Sequence, residues 1–275
     1  MYEDIIEVTG KETGPTSIIL AGVHGDEKCG VEALNKVLPS LEIEKGRLLI
    51  AYGNPRAIQQ NVRFIDSNLN RLFRSDEVLS KNETTGYEYT RAQFLKKYLN
   101  QADALLDIHA SSIPKSKRFV ICEKNAGEIV KYLPVDLVVS GFDNVEPGGT
   151  DYYMNNNGKV GICLECGYMK DPQSIQVAEE SIFSFLKSRG HISNDIVPQR
   201  QCYVLMFKKY VAQTNSFVLS KMFENFEPVR ADQVIGLDGQ NEIKAPQESL
   251  ILFAHNGKKI GDEVFLLGVE KESLV

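Results

Sequence analysis

The sequence predicts an α/β protein: a mixed, largely parallel sheet flanked by helices on both faces, followed by a smaller all-β domain. Three observations lead there. Between Ser17 and Gly190, short apolar runs alternate with segments of helical periodicity, the pattern of strands joined by crossover helices. After Gly190 that periodicity stops, and short β-type runs with Asp-Gly and Asn-Gly dipeptides take over. The chain has 275 residues, 43% hydrophobic and 25% charged, which is enough for two modest domains with real cores. The boundary is placed after 195, giving domains 1–195 and 196–275.

In order, SIILAGV (17–23) reads as a strand, and the helix after it starts near Glu27 with Gly25 or Asp26 as N-cap. GRLLIAYG (46–53) is a strand, and PRAIQQN is a short helix with Pro55 at its first position. TRAQFLKKYLNQ (90–101) places Phe94, Leu95, Tyr98 and Leu99 on one helical face. ALLDIHA (104–110), RFVICE (118–123), VDLVVSG (135–141) and KVGICLEC (159–166) are strands, and NAGEIVKYL (125–133) is a helix. The segment 172–190 is a long helix with Ile175, Ala178, Ile182 and Phe185 at helical spacing, closed by Gly190. HISNDIVPQRQ (191–201) reads as a linker. Beyond it, YVLMFKKYVA, SFVLSKMF, GLDGQN and SLILFAHNGKKIGDEVFLLG read as strands, with turns at Asp238-Gly239 and Asn256-Gly257.

Bulk properties exclude several functions. A net charge of −6 and a pI near 5.4 leave no basic surplus to neutralise phosphates, so no nucleic-acid partner is expected. No apolar run approaches the roughly 20 residues of a membrane span, and MYEDIIEVTG lacks the basic and apolar regions of a signal peptide. Five scattered cysteines suit reduced thiols. A cytoplasmic protein without membrane association is expected, and a homo-oligomer is compatible with the sequence.

Functional groups in open α/β sheets collect at the C-terminal ends of strands. Here His24 ends the first strand, Glu27 enters the next helix, His109 ends ALLDIHA and Glu165 lies near the end of GICLEC. Two histidines and one carboxylate are a ligand set for catalytic zinc with a fourth position left open. Glu165, as a second carboxylate that is not a ligand, is then the candidate general base and acid. Singly, each has an ordinary explanation: a polar turn, a satisfied strand-end histidine, a buried ion pair. On a strand Cys163 and Glu165 share a face and Cys166 points away, which counts against a metal-binding C-x-x-C. The segment NVRFIDSNLNRLF adds Arg63, Asp66, Asn68, Asn70 and Arg71, as a solvated loop or as part of the site. His191 and His255 read as surface residues.

AGVHGDEKCG, NPRAIQQNVRFIDSNLNRLF, LLDIHAS and GICLECG stand in the order and approximate spacing of the succinylglutamate desuccinylase/aspartoacylase family, a branch of the zinc-carboxypeptidase-like fold. The stretch APQESLILFAHNGKKIGDEVFLLG resembles that family's appended β domain, so the likeness covers nearly the whole chain. The resemblance implies one Zn2+ ion on His24, Glu27 and His109, with Glu165 as general base and acid. It implies that Arg63 stabilises the oxyanion and that Asn70 and Arg71 grip a substrate carboxylate. The reaction would be hydrolysis of the amide of an N-acyl amino acid. Two departures stand out. Asn68 replaces an aspartate that the family commonly uses to support the first zinc-ligand histidine, with Asp66 as a compensating carboxylate nearby. No arginine occurs between Arg118 and Arg189, where aspartoacylase-like members bind the substrate's side-chain carboxylate. A metallocarboxypeptidase acting on short peptides or cell-wall fragments, and a non-catalytic carboxylate-binding homologue, are the competing functions.

Overall fold

The computed structural model of the chain describes residues 5–193 and 196–275. The boundary expected after 195 and part of the expected linker therefore fall outside the described residues, as do residues 1–4 of the acidic N-terminus. The strands are β1 (Ile6–Thr9), β2 (Glu12–Ala21), β3 (Lys45–Tyr52), β4 (Ala104–Ser111), β5 (Phe119–Cys122), β6 (Leu137–Ser140), β7 (Val160–Tyr168), β8 (Cys202–Val211), β9 (Phe217–Leu219), β10 (Glu227–Val229), β11 (Val234–Asp238), β12 (Asn241–Lys244), β13 (Ser249–Leu252) and β14 (Glu263–Lys271). The helices are α1 (Lys28–Val37), α2 (Pro55–Gln60), α3 (Tyr87–Leu99), α4 (Gly127–Val130), α5 (Phe142–Val145), α6 (Thr150–Asn156) and α7 (Gln173–Ser188).

A mixed sheet runs in the order β1-β3-β2-β4-β7-β5-β6-β8-β14-β13-β10, and β12-β11-β9 form a small antiparallel sheet. The centre is parallel: β3, β2, β4 and β7 run together, and β5 reverses against β7. Every residue of β4 is buried, as expected of a strand covered on both faces. On one face α1 and α7 supply Val31, Leu34, Val177, Ile182 and Phe185 to the core. On the other, α3 supplies Ala92, Leu95 and Leu99. The helix spacing read from the sequence thus becomes two apolar layers around one sheet. The chain continues into β8, which pairs parallel with β6, and β14, β13 and β10 extend that edge. Among the described residues, no helix is long and apolar enough to cross a membrane, and all five cysteines are free thiols.

Several local expectations are corrected. β2 begins at Glu12 and stops at Ala21, because Gly22 at φ +70° turns the chain out of the sheet. The helix expected over 125–133 is only the short α4; Leu133, ahead of Pro134, is disfavoured in the helical region. Asp238-Gly239 does turn β11 into β12, but Asn256-Gly257 makes no two-residue hairpin. Instead Asn256 Oδ1 accepts the Leu219 N–H and the Gly257 N–H donates to Phe217, tying the β13–β14 loop to β9. His191 is not a surface residue: it is 0% exposed, with Nδ1 2.8 Å from the Lys45 carbonyl and Nε2 2.8 Å from Ser17 Oγ. It fastens the end of α7 to the middle of β2 and the start of β3.

Candidate active site

The C-terminal ends of β2, β4 and β7 meet at one cavity of about 730 Å3. His24 lies just past β2. Glu27, not Gly25 or Asp26, occupies the N-cap of α1, and its side chain makes no cap hydrogen bond. The carboxylate is used elsewhere. Its Oε1 lies 2.8 Å from His24 Nδ1, and its Oε2 lies 3.0 Å from His109 Nδ1 and accepts the Ala110 N–H at 3.1 Å. The turn needs Gly25, where a Cβ would sit 2.1 Å from the Ala57 backbone. On β7, Glu165 stands opposite His109 in register, so both side chains leave the same face of the sheet. Cys163 lines the cavity with Glu165, while Cys166 packs into the core on the other face.

The outer nitrogens face supporting side chains. Asn68 Oδ1 lies 3.1 Å from His24 Nε2 and also accepts the Asn70 N–H, which identifies it as the amide oxygen. His109 Nε2 lies 3.1 Å from Asp107 Oδ2. Both Nδ1 atoms face Glu27, and the Nε2 side of each ring is left to Asn68 or Asp107. Three buried side chains thus bring ligand atoms all within 4.8 Å of one another. Protons on the imidazoles, or a cation in their place, offset the charge of Glu27 there. Burial pulls His24 below the usual imidazole range, with Glu27 opposing it. Burial also acts against a charge on His109, but Asp107 and Glu27 outweigh it and hold that ring well above the usual range. Glu27 lies well below the carboxylate range, because the two imidazoles outweigh its burial. A divalent metal fits where the extra proton would otherwise sit, and its binding would release that proton.

Glu165 is 8% exposed, and its Oε2 has no hydrogen-bond partner. Burial first, then the charge of Glu27, pushes its carboxyl up to about 8. Arg63 is half exposed, with Nη1 3.0 Å from Glu27 Oε1. Asn70 and Arg71 line the cavity. Arg71 Nη1 donates to the Asn70 carbonyl, and Nη2 pairs with Glu146 and, at 3.0 Å, with Glu263. Asp66 is placed away from the histidines, where its Oδ2 accepts the Tyr87 N–H at the start of α3.

Three features escaped the sequence reading. Asp107 supports His109; strand alternation alone puts it on His109's face. Glu88 is 0% exposed and accepts the N–H groups of Ile65, Asp66 and Ser67 together with Asn54 Nδ2. It thereby pins the loop that carries Arg63 and Asn68, and no sequence signal marks it. Glu146, Lys209 and Glu263 form an ion-pair cluster around Arg71, with Lys209 Nζ 2.7 Å from Glu146 and 2.8 Å from Glu263. Its members come from distant segments and have no shared motif.

The profile of the succinylglutamate desuccinylase/aspartoacylase catalytic domain matches residues 13–189, more than half of the chain. The succinylglutamate desuccinylase of Shewanella sp. (strain MR-7) is 27% identical over 92% of this chain and 82% of its own length. A probable aspartoacylase of Trichodesmium erythraeum (strain IMS101) is 25% identical over 70% of this chain and 73% of its own. Among solved structures, the succinylglutamate desuccinylase of Vibrio cholerae superposes with a TM-score of 0.82 at 20% identity, covering 97% of this chain and 85% of that one. The product-bound ectoine utilization protein EutE (DoeB) of Ruegeria pomeroyi gives 0.72 at 21% identity, covering 96% and 87%. The chain belongs to the succinylglutamate desuccinylase/aspartoacylase family of hydrolases.

Proposed function

We propose that the protein is a zinc-dependent deacylase that hydrolyses the amide bond of an N-acyl amino acid. One observation carries this: the acceptors of His24, Glu27 and His109 converge, and the buried carboxyl of Glu165 stands beside them in the same cavity. The two Nδ1 atoms and the Glu27 carboxylate would hold the ion. When bound, zinc lowers the pKa of a water and polarises a carbonyl oxygen.

The remaining roles belong to the chain. Glu165 takes a proton from the attacking water and returns it to the leaving nitrogen. Its burial favours the protonated form, which suits the second task, and a cation nearby restores the ionised form needed for the first. Arg63 stabilises the charge that develops on the scissile carbonyl, and its exposure leaves it free to swing from Glu27 to that oxygen. Asn70 and Arg71 hold the carboxylate of the amino-acid half. Asn68 and Asp107 are positioning residues that fix the two imidazoles, and Asp66 acts through the helix it caps.

The test is incubation of the zinc-loaded protein with a panel of N-acyl amino acids and a panel of short peptides, with released amino acid measured. Faster release from N-acyl amino acids is expected. Cleavage of peptides alone, or of nothing, would contradict the proposal.

A further inference from the structure

One sector of the cavity, on the β5 side of Glu165, is apolar. Phe119 on β5 stands opposite Glu165 in the antiparallel pairing with β7, so the two side chains leave the same face, about 4.5–5.5 Å apart at Cβ. Ile121, two residues further on, shares that face and lines the cavity. Phe253, from the loop after β13, packs its ring on Phe119 with 6.2 Å between centroids and also lines the cavity. Phe142 and Leu266 complete the sector. The acids at the ends of the same elements, Glu146 and Glu263, are already paired with Arg71 and Lys209.

The backbone gives an independent sign that this sector is built for a ligand. Phe253 is held at φ +55°, in the left-handed region that a bulky residue rarely adopts. Its N–H donates to Asn225 Oδ1 at 3.0 Å. Asn225 is buried, and its Nδ2 donates to Ser116 Oγ at 3.0 Å, which in turn donates to the Ile113 carbonyl at 2.7 Å. Ile113 lines the cavity as well. The next residue, Phe226, also has positive φ, +63°, and sets its ring edge-on to Phe119 at 5.0 Å. One buried amide therefore ties together the loops that bring Ile113 and Phe253 to the cavity. Such backbone strain persists only where the surroundings over-determine it, and it clusters at ligand sites.

We propose that this sector is the subsite for an apolar amino-acid side chain, with Phe253 as the residue that selects it and Asn225 as the residue that positions Phe253. The inference rests on the proposed deacylase activity, which sets the direction: Glu165 returns a proton to the leaving nitrogen, so the amino-acid half lies on its side. With the carboxylate of that half on Asn70 and Arg71, its side chain meets Phe253, Phe142 and Ile121. An aliphatic chain gains apolar contact there, whereas a side-chain carboxylate would exchange water for hydrocarbon.

The test lets the subsite and the deacylase fail separately. The zinc-loaded protein is assayed with Nα-acetylnorleucine, Nα-acetylalanine, N-acetylaspartate, N-acetylglutamate and N-succinylglutamate. The three extra methylenes of norleucine are expected to raise kcat/KM over alanine by about tenfold or more, and the acidic compounds should fall below norleucine. Alanine or an acidic compound turned over as well as norleucine overturns the inference and leaves the deacylase standing. If nothing is hydrolysed, the deacylase falls, and calorimetric binding of free norleucine, alanine and glutamate decides the inference; norleucine binding no tighter than the other two overturns it. Phe253→Gly removes the ring and suits the left-handed backbone, and it should lower the norleucine-to-alanine ratio of kcat/KM by about fivefold. Equal slowing of both substrates would remove the ring from substrate choice. Asn225→Ala should lower the same ratio, yet add little in the double variant, because it acts through that ring. Fully additive losses would overturn that link.

Discussion

The two ends of the cavity are held together by different means. At the catalytic end, backbone register does the positioning. His109 and Glu165 are neighbours because β4 and β7 pair in parallel, and Glu27 reaches both histidines because α1 starts directly after β2. At the opposite wall only half of the cluster has such a frame: β8 and β14 pair and bring Lys209 to Glu263, while Arg71 and Glu146 come in from outside those strands. Arg71, Glu146, Lys209 and Glu263 come from four separate segments and are held by one another's charge. The difference teaches that backbone register alone sets the spacing of His24, Glu27, His109 and Glu165, while the other wall depends also on ion pairs that single substitutions can break.

Glu165→Gln probes the catalytic end with the largest expected effect. It keeps shape and burial but removes the proton-transfer group, so kcat should fall by about 10²–10⁴-fold while metal content stays unchanged. Activity near wild type would remove Glu165 from the role proposed for it.

A subtler change compares the two histidines. His109 is backed by the carboxylate of Asp107, whereas His24 is backed only by the neutral amide of Asn68. A charged partner makes an imidazole a stronger ligand, and such supports are worth about 10–100-fold. Asn68→Asp is therefore expected to tighten zinc by about tenfold in a chelator competition, and Asp107→Asn to weaken it by a similar factor. Opposite signs would mean that these partners only fill space.

The smallest effect concerns the ion-pair cluster around Arg71. Arg71 and then Lys209 pull Glu263 down to about 2 against its burial, from the ordinary 4.5. The folded state thus binds the proton more weakly than the unfolded chain. Its ionised form stabilises the fold above pH 4.5, and that contribution is lost as pH falls toward 2. Because Glu263 is partly exposed, about 1 kcal/mol is at stake, or roughly 2–4 °C in Tm. The Tm gap between wild type and Glu263→Gln should shrink across that window; a gap independent of pH would mean the cluster does not hold the wall.

What the sequence made legible follows the same division. Strand ends and helix starts are local patterns, so the sheet, its two helical layers and the placement of His24, Glu27, His109 and Glu165 could be read from periodicity and spacing. Arg63, Asn70 and Arg71 stood out as a polar segment, and the family resemblance suggested their roles. Asp107 was readable in principle, because alternation in LLDIHA puts it on the face of His109. The wall was not: Arg71 and Glu263 meet across 192 positions, and only the addition of β8 and β14 to the sheet edge brings them together. His191 misled for a related reason. It follows Gly190 at a helix end in a polar stretch, yet the fold closes it over Ser17 and Lys45.

The direct test of the central claim is metal stoichiometry by mass spectrometry after zinc loading and gel filtration. About one zinc per chain is expected in the wild type and in Glu165→Gln, with loss in His24→Ala and His109→Ala while circular dichroism shows both variants folded. A wild-type chain that retains no metal, or a folded His109→Ala that retains a full complement, would contradict the site described.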